Sequence, residues 1–150
     1  MKVEVKFYPL WNNWRWWGWA LIIGIFGRSW KGQHVSLKSG DKELSSFLDR
    51  PVDIFYSKTI DQVMPRHEVI EVEVPNENTL DNLIYRVPLK RTPVTYDCAY
   101  EAVGRFLGWP RPVNCVTIVV AALQELGYEI DTSITTPRGL AKALKREASA

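Results

Sequence analysis

The sequence has almost no net charge: its 150 residues carry a formal charge of +2 at pH 7. Lys and Arg are scattered, and no basic cluster or RNA-binding signature is present, which excludes nucleic acid as an expected partner. The hydrophobic fraction of 46% and the charged fraction of 24% are ordinary for a soluble globular protein. The length suits one domain, so we predict a single domain over residues 1–150.

Cysteine and histidine are also scarce, with two residues of each. Cys98 and Cys115 could form one disulfide, but two cysteines are not the framework of a secreted, disulfide-rich protein. A reduced, cytoplasmic setting is therefore expected. Because these four residues are far apart and no glycine-rich phosphate loop occurs, the sequence predicts neither a metal site nor a cofactor.

Long hydrophobic runs are absent as well. The apolar run from Trp16 to Phe26 has 11 residues, against roughly 20 needed to span a bilayer, and its bulky residues do not fit a signal peptide. Tryptophan is abundant by contrast, since six of the seven lie between Trp11 and Trp30. Trp is enriched at membrane interfaces, but we expect this Trp-rich segment, residues 11–30, to be buried or to face a protein partner. A peripheral membrane protein anchored by these Trp residues is the alternative.

Alternating hydrophobic and polar residues predict strands in the first half of the chain. The pattern occurs in KVEVKFYPL (2–10), GQHVSLKSGD (32–41), VDIFYS (52–57) and HEVIEVEVP (67–75). The periodicity of WWGWALIIGIFG (16–27) does not distinguish a strand from a short helix. KELSSFLDR (42–50) is expected to form one helical turn.

Helical spacing of apolar residues predicts four helices in the second half. They fall within residues 76–90, 95–109, 114–127 and 135–148. Asn78 or Thr79 can cap the first, Asn114 precedes the third, and Thr136 with Pro137 begins the fourth. Strands followed by helices predict an α+β fold, with helices packed on an antiparallel sheet.

Cys115 is the candidate nucleophile. It follows Asn114, a preferred N-cap residue, so it should lie in the first turn of an apolar helix. There the free backbone N–H groups and the helix dipole stabilise a thiolate. The alternative is a buried thiol that only packs, since free Cys is among the most buried residue types.

A thiolate nucleophile needs a base, normally a histidine. His34 lies on a short predicted strand, where it can face a helix terminus packed on the sheet, whereas His67 stands among charged residues at a strand's entrance. We therefore prefer His34, with an ordinary exposed strand histidine as the alternative. Asp53, on a later strand, is a candidate to orient the imidazole, although an exposed strand residue is the other interpretation.

Two residues of the predicted helix before Cys115, Cys98 and Tyr96, are the other candidates for a role near the site. Cys98 lies beside Asp97 and Glu101, and these carboxylates should disfavour its thiolate, so a structural role is expected. Tyr96 could hydrogen-bond within a site or could simply pack half-buried.

The order of these elements resembles the circularly permuted NlpC/P60-like (papain-like) cysteine hydrolases. The matching elements are His34-Val35 on an early strand, Tyr96-Asp97 ahead of the cysteine helix, and Asn114-Cys115 at its start. The "NC" pair is also similar to the lecithin retinol acyltransferase-like branch. The resemblance covers roughly residues 1–128, and it departs from the unpermuted "DCSG" motif, which is "NCVT" here.

The resemblance implies a hydrolase that cleaves an amide bond, in a peptidoglycan peptide or an acyl conjugate, in bacteria or phages. Cys115 would be the nucleophile, His34 the base and a polar residue on the following strand the orienter, with Asn114 and Tyr96 supporting the site. No cofactor is implied. The alternative is an inactive papain-like module of a larger assembly, such as a phage virion, that contacts protein partners through the Trp-rich segment.

Overall fold

A computed structural model describes residues 1–12, 14–27, 33–47 and 50–148. It confirms an α+β protein with an antiparallel sheet and helices. The five strands stand in the order β4-β3-β2-β1-β5, and every neighbouring pair is antiparallel. Their bounds are β1 Lys2–Tyr8, β2 His34–Ser39, β3 Lys42–Ser45, β4 Asp53–Tyr56 and β5 Glu68–Glu73.

The strand β3 corrects one prediction, since KELSSFLDR was expected to begin as a helical turn. Gly40, at a φ of 66°, lets the chain reverse tightly after β2. Leu44 then faces the core, while Glu43 and Ser45 lie on the other face of the sheet, where both are also buried. This segment pairs with β2 on one side and β4 on the other, and that tertiary pairing overrides its local helical pattern.

The helices of the second half follow the predicted segments, and the segment 16–27, which could have been a strand or a helix, is helical. They are α1 Trp17–Gly27, α2 Ser57–Val63, α3 Leu80–Leu83, α4 Val94–Ala99, α5 Arg105–Leu107, α6 Cys115–Glu125 and α7 Pro137–Ala148. A π-helical segment, Tyr100–Gly104, joins α4 to α5, and two 3₁₀ turns, Leu10–Asn12 and Trp14–Trp16, precede α1. The sequence analysis did not predict α2.

The helix α6 packs on one face of the sheet and forms the main hydrophobic core with it. Val3, Val5 and Phe7 of β1 point to this face, as their alternation predicts, and all are fully buried. Leu140 and Leu144 of α7 close the core from outside. The sheet is thereby fixed against the helix that begins with Cys115.

The other face of the sheet is also covered, which alternation alone does not predict. Lys6 is only 1% exposed, and its Nζ lies 3.0 Å from a carboxylate oxygen of Glu43 and 2.7 Å from one of Asp61. The Tyr8 hydroxyl donates to Glu43 at 2.7 Å. A buried ammonium is stable in a protein only when it is paired in this way.

The helix α1 packs beside this second face through one side only. Ala20 and Gly24 are buried, and Ala20 belongs to a small cluster with Tyr8, Leu10 and Met64. Trp17 and Ile25, in contrast, are more than half exposed. The Trp-rich segment is therefore part buried and part exposed, and Trp30 lies outside the described residues. Within the described ranges, no helix is long and apolar enough to cross a membrane.

Candidate functional site

Cys115 is the first residue of α6, as the sequence predicts. The Asn114 side chain caps the helix by accepting hydrogen bonds from the backbone N–H groups of Val116 and Thr117, both at 3.0 Å. The Thr117 hydroxyl accepts in return from the Asn114 N–H at 2.8 Å, which completes a capping box. These contacts fix the first turn of α6, the turn that begins with Cys115.

His34 is the first residue of β2 and is only 4% exposed. Its Nε2 lies 2.7 Å from the hydroxyl oxygen of Ser45 on β3. The Phe47 ring packs edge-on against the imidazole, with 4.9 Å between the ring centroids. One ring nitrogen is therefore held by a neighbouring strand, and the ring plane is fixed by an aromatic contact.

One cavity of about 70 Å³ brings the predicted nucleophile and base together. Cys115 and His34 both line it, and the backbone N–H of Val35, the residue after His34, hydrogen-bonds to the Cys115 sulfur. Ile23 of α1 and Cys98 of α4 form other parts of the wall. Because Cys115 is still 9% exposed, the cavity is a small opening beside the thiol, large enough for a few waters or one small chemical group.

Arg91 supplies a buried positive charge beside both residues. Its guanidinium pairs with Asp97 at 2.8 Å and donates to the carbonyl of Ser46 at 3.0 Å, and its side chain is only 6% exposed. Asp97 also accepts a short hydrogen bond from the Thr92 hydroxyl. Arg91 therefore ties the loop before α4 to the end of β3, directly behind the cavity.

Burial governs the protonation of the candidate pair. It lowers the pKa of His34 from 6.5 to about 3, and the Arg91 charge acts in the same direction. Burial raises the pKa of the Cys115 thiol, and the opposing effects of Arg91 and the Val35 N–H are smaller. In the resting protein at neutral pH the pair is therefore a neutral thiol and a neutral imidazole, with no thiolate–imidazolium ion pair.

No family model, curated protein or solved structure matches this chain.

Asp53 does not orient His34, which corrects the predicted third residue. Its side chain is exposed, and its Oδ1 accepts from the N–H of Ile54, the next residue. Ser45 contacts the imidazole instead. His67 also lies away from the cavity, since its ring packs on Tyr8 and its Nδ1 lies 3.9 Å from Asp61.

The two supporting residues have positions that limit their roles. The Asn114 amide is engaged within the protein, because its Nδ2 donates to the carbonyl of Thr135 at 3.0 Å while its oxygen caps α6, so Asn114 positions the helix. Tyr96 lies outside the cavity wall: its hydroxyl donates to the carbonyl of Pro110 at 2.5 Å, and its ring stacks on Trp109. Tyr96 thus holds the loop between α5 and α6.

Cys98 behaves as predicted in its chemistry but lies closer to Cys115 than the sequence suggests. Burial, together with the charges of Asp97 and Glu101, raises its pKa to about 11, and it is unpaired in the structure. It nevertheless lines the same cavity as Cys115. The two thiols therefore provide a matched pair for experiments, because one opens a helix and the other lies within one.

A second and larger groove, of about 530 Å³, lies next to the cavity. Ser45 and Phe47, the two residues that hold His34, form part of its wall. The remaining wall is mostly apolar and consists of Trp16, Trp19, Arg50, Phe55, Thr59, Ile60, Val63 and Met64. Within the described part of the chain, no group of three or more Cys, His, Asp or Glu side chains is placed to hold a metal.

Ser45 and Arg91 are the residues of the site that the sequence analysis missed. A signal for Ser45 existed, because the family resemblance calls for a polar residue on the strand after the histidine strand. The incorrect helical prediction for residues 42–50 concealed it. Arg91 lies in a loop and carries no local pattern, so its place behind the cavity follows only from the tertiary fold.

Proposed function

We propose that the protein is a cysteine hydrolase that cleaves an amide bond through an acyl-enzyme on Cys115, in a permuted papain-like arrangement. One observation carries the proposal: a thiol at a helix N-terminus and a histidine held by a neighbouring strand line the same small cavity. Nucleophilic catalysis requires this pairing of a thiol, a base and a group that orients the base.

The contact with Ser45 assigns a role to each imidazole nitrogen. If Nε2 carries the proton and donates to the Ser45 hydroxyl, Nδ1 is left with a free electron pair. As the Cys115 sulfur attacks the substrate carbonyl, Nδ1 takes the thiol proton and then gives it to the leaving amine. Water next releases the acyl group by the same route, and the Cys115 N–H stabilises the oxyanion in each step.

The large groove favours an acyl conjugate over a peptidoglycan peptide as substrate. Its wall carries six apolar or aromatic side chains beyond Phe47: Trp16, Trp19, Phe55, Ile60, Val63 and Met64. A hydrocarbon chain gains free energy by leaving water for such a wall, whereas a polar peptide gains little. The groove also adjoins the residues that hold His34, so a chain in it would lie close to the reacting carbonyl.

Acylation by activated esters tests the proposal. Incubation with p-nitrophenyl decanoate should release a burst of one nitrophenolate per chain and leave a decanoyl adduct on Cys115, located by peptide mass spectrometry. The decanoate should acylate faster than p-nitrophenyl acetate if the groove holds the chain. An alkylating reagent is a poorer test, since the raised pKa of Cys115 slows its reaction at neutral pH.

Matched variants decide the outcome. Cys115→Ala should abolish the burst while Cys98→Ala keeps it, and His34→Ala should slow acylation about 100-fold or more because the general base is lost. Ser45→Ala should lower the rate less than His34→Ala. An adduct on Cys98, or a burst that persists in Cys115→Ala, would contradict the proposed nucleophile.

The protonation states favour a second candidate, a non-catalytic interaction module. Both members of the pair are neutral and buried, and Ser45 provides no carboxylate to stabilise an imidazolium. In such a protein Cys115 and His34 would only pack. The absence of any adduct on Cys115 with both esters, in a protein that is folded by circular dichroism, would select this candidate.

A further inference from the structure

The outer side of α1 is a continuous apolar surface. Trp17 and Ile25 are 54% and 55% exposed, and Trp14, just before the helix, is 72% exposed. Three further apolar side chains of the helix are exposed: Leu21, Ile22 and Phe26. The sequence has no charged residue from Trp16 to Gly27. Surface helices of soluble proteins normally carry polar residues on their outer side. An exposed apolar surface of this kind therefore indicates a site that contacts an apolar partner.

A second set of exposed apolar residues lies on the neighbouring helical segment. Val103 is 48% exposed, and Phe106 and Leu107 of α5 are 84% and 67% exposed. The π-helical segment that contains Val103 packs against α1. Both α1 and α4 also contribute to the wall of the Cys115 cavity, through Ile23 and Cys98. Exposed apolar side chains therefore occur on both helical segments that flank the cavity.

The charged residues that flank α1 along the chain are of one sign. Between Val5 and Gly40 the sequence contains no Asp or Glu, whereas Arg15, Arg28 and Lys31 flank the helix along the chain. Arg15 is exposed and lies over the Trp14 ring, with 5.9 Å from its guanidinium carbon to the ring centroid. An exposed apolar helix that is flanked along the chain by cations is complementary to an anionic lipid surface, because its apolar side chains contact the acyl chains while the cations contact the headgroups.

We propose that the outer side of α1 docks on the surface of an anionic lipid bilayer. The helix has 11 residues, which corresponds to about 16 Å, roughly half of the hydrocarbon thickness. Leu21, Ile22, Ile25 and Phe26 enter the acyl boundary, while Trp14 and Trp17 lie at the headgroup level that Trp prefers. Membrane contact of this segment is the less favoured interpretation of the sequence, whereas the exposure of α1 favours it. The docking does not depend on the proposed hydrolase activity.

Co-sedimentation with vesicles tests the docking. The full chain should bind vesicles of equal parts phosphatidylcholine and phosphatidylglycerol, and bind more weakly to phosphatidylcholine alone. Added salt should weaken the binding to the anionic vesicles. Tryptophan emission should shift to shorter wavelength on binding, because exposed indole rings leave water.

Variants locate the contact. Leu21→Ser with Ile25→Ser should lower the partition coefficient more than tenfold, since two aliphatic side chains no longer leave water. Arg15→Ala should lower it about fivefold on anionic vesicles only, the effect of one cation near the surface. Tyr85→Ser is the matched control, because it removes an exposed aromatic residue that follows α3, a helix packed in the core on the other face of the sheet. Cys115→Ala should bind like the wild type, which separates docking from catalysis.

Three results would overturn the proposal. Lack of binding to either kind of vesicle would exclude lipid as the partner and favour a protein. A stable dimer in sedimentation velocity without lipid, dissociated by the Leu21→Ser and Ile25→Ser changes, would show that a second copy covers α1. Binding unaffected by those two changes would place the membrane contact elsewhere and would equally contradict the role of α1.

Discussion

The helices α1 and α6 have the same length, 11 residues, and both are predominantly apolar, yet their surroundings differ completely. Seven residues of α6 are buried, from Cys115 to Leu123. In α1 only Ala20 and Gly24 are buried among the residues whose side chains are described. Apolar content therefore does not decide burial here, because α6 meets the apolar face of the sheet and α1 meets a narrow cluster around Tyr8 and Leu10.

The difference teaches what each helix contributes. The helix α6 is capped, packed against the sheet and held in one position, which suits a helix that presents a nucleophile. The helix α1 contributes Ile23 to the wall of the cavity, and none of the described residues covers its outer side. Stability should thus depend on α6, whereas contact with an external apolar phase should depend on α1.

The largest expected effect is a core truncation in α6. Leu123 is fully buried, so Leu123→Ala should lower the free energy of unfolding by about 2–5 kcal/mol through lost burial and a residual cavity. Leu21→Ala in α1 is the matched control, because Leu21 is 49% exposed and its loss should stay within about 0.5 kcal/mol. Urea unfolding followed by circular dichroism measures both. Equal losses would mean that α1 is covered in solution.

The position of α6 and its boundaries are predicted well from the sequence, whereas the environment of α1 is predicted poorly. For α6, the Asn114 cap, the first position of Cys115 and the stop at Gly127 are all local signals, and Gly127 has the expected positive φ of 81°. For α1, periodicity cannot separate a buried from an exposed apolar helix, because every residue is apolar and no face differs from another.

The same limit explains the errors around the site. His34 and Cys115 are recognisable from residue type and local position, and they line one cavity. Ser45 and Arg91 reach that cavity only through strand pairing and a long loop, which local pattern does not encode. The burial of Lys6 likewise depends on Asp61, which comes from α2, a helix that the sequence analysis did not predict.

An intermediate effect concerns His34, which lines the same cavity as Ile23 of α1 and Cys115 of α6. Its pKa falls from 6.5 to about 3 on folding, so between these values the unfolded chain binds a proton that the native protein does not. Stability should therefore decrease as the pH falls through this window, by up to about 1.4 kcal/mol per pH unit from this residue. Urea unfolding at about pH 6 and about pH 4.5 gives the slope.

Two variants isolate that contribution. His34→Gln cannot titrate and should make the dependence of stability on pH shallower by up to about 1.4 kcal/mol per unit, whatever its effect on stability itself. His67→Gln is the matched control for the loss of a histidine, since His67 is partly exposed and lies outside the cavity wall. A slope unaltered by His34→Gln would show that water reaches the imidazole and that burial does not govern its protonation.

The smallest expected effect concerns the N-terminal cap of α6. Asn114→Ala removes the acceptor for two backbone N–H groups and the donor to Thr135, which should cost about 1 to 2 kcal/mol in urea unfolding. Asn114→Ser keeps a cap acceptor and should recover much of that loss. Because the cap also fixes the Cys115 amide, Asn114→Ala should slow acylation by p-nitrophenyl decanoate more than Asn114→Ser does. Unchanged acylation in Asn114→Ala would show that packing of α6 on the sheet, rather than its cap, positions the thiol.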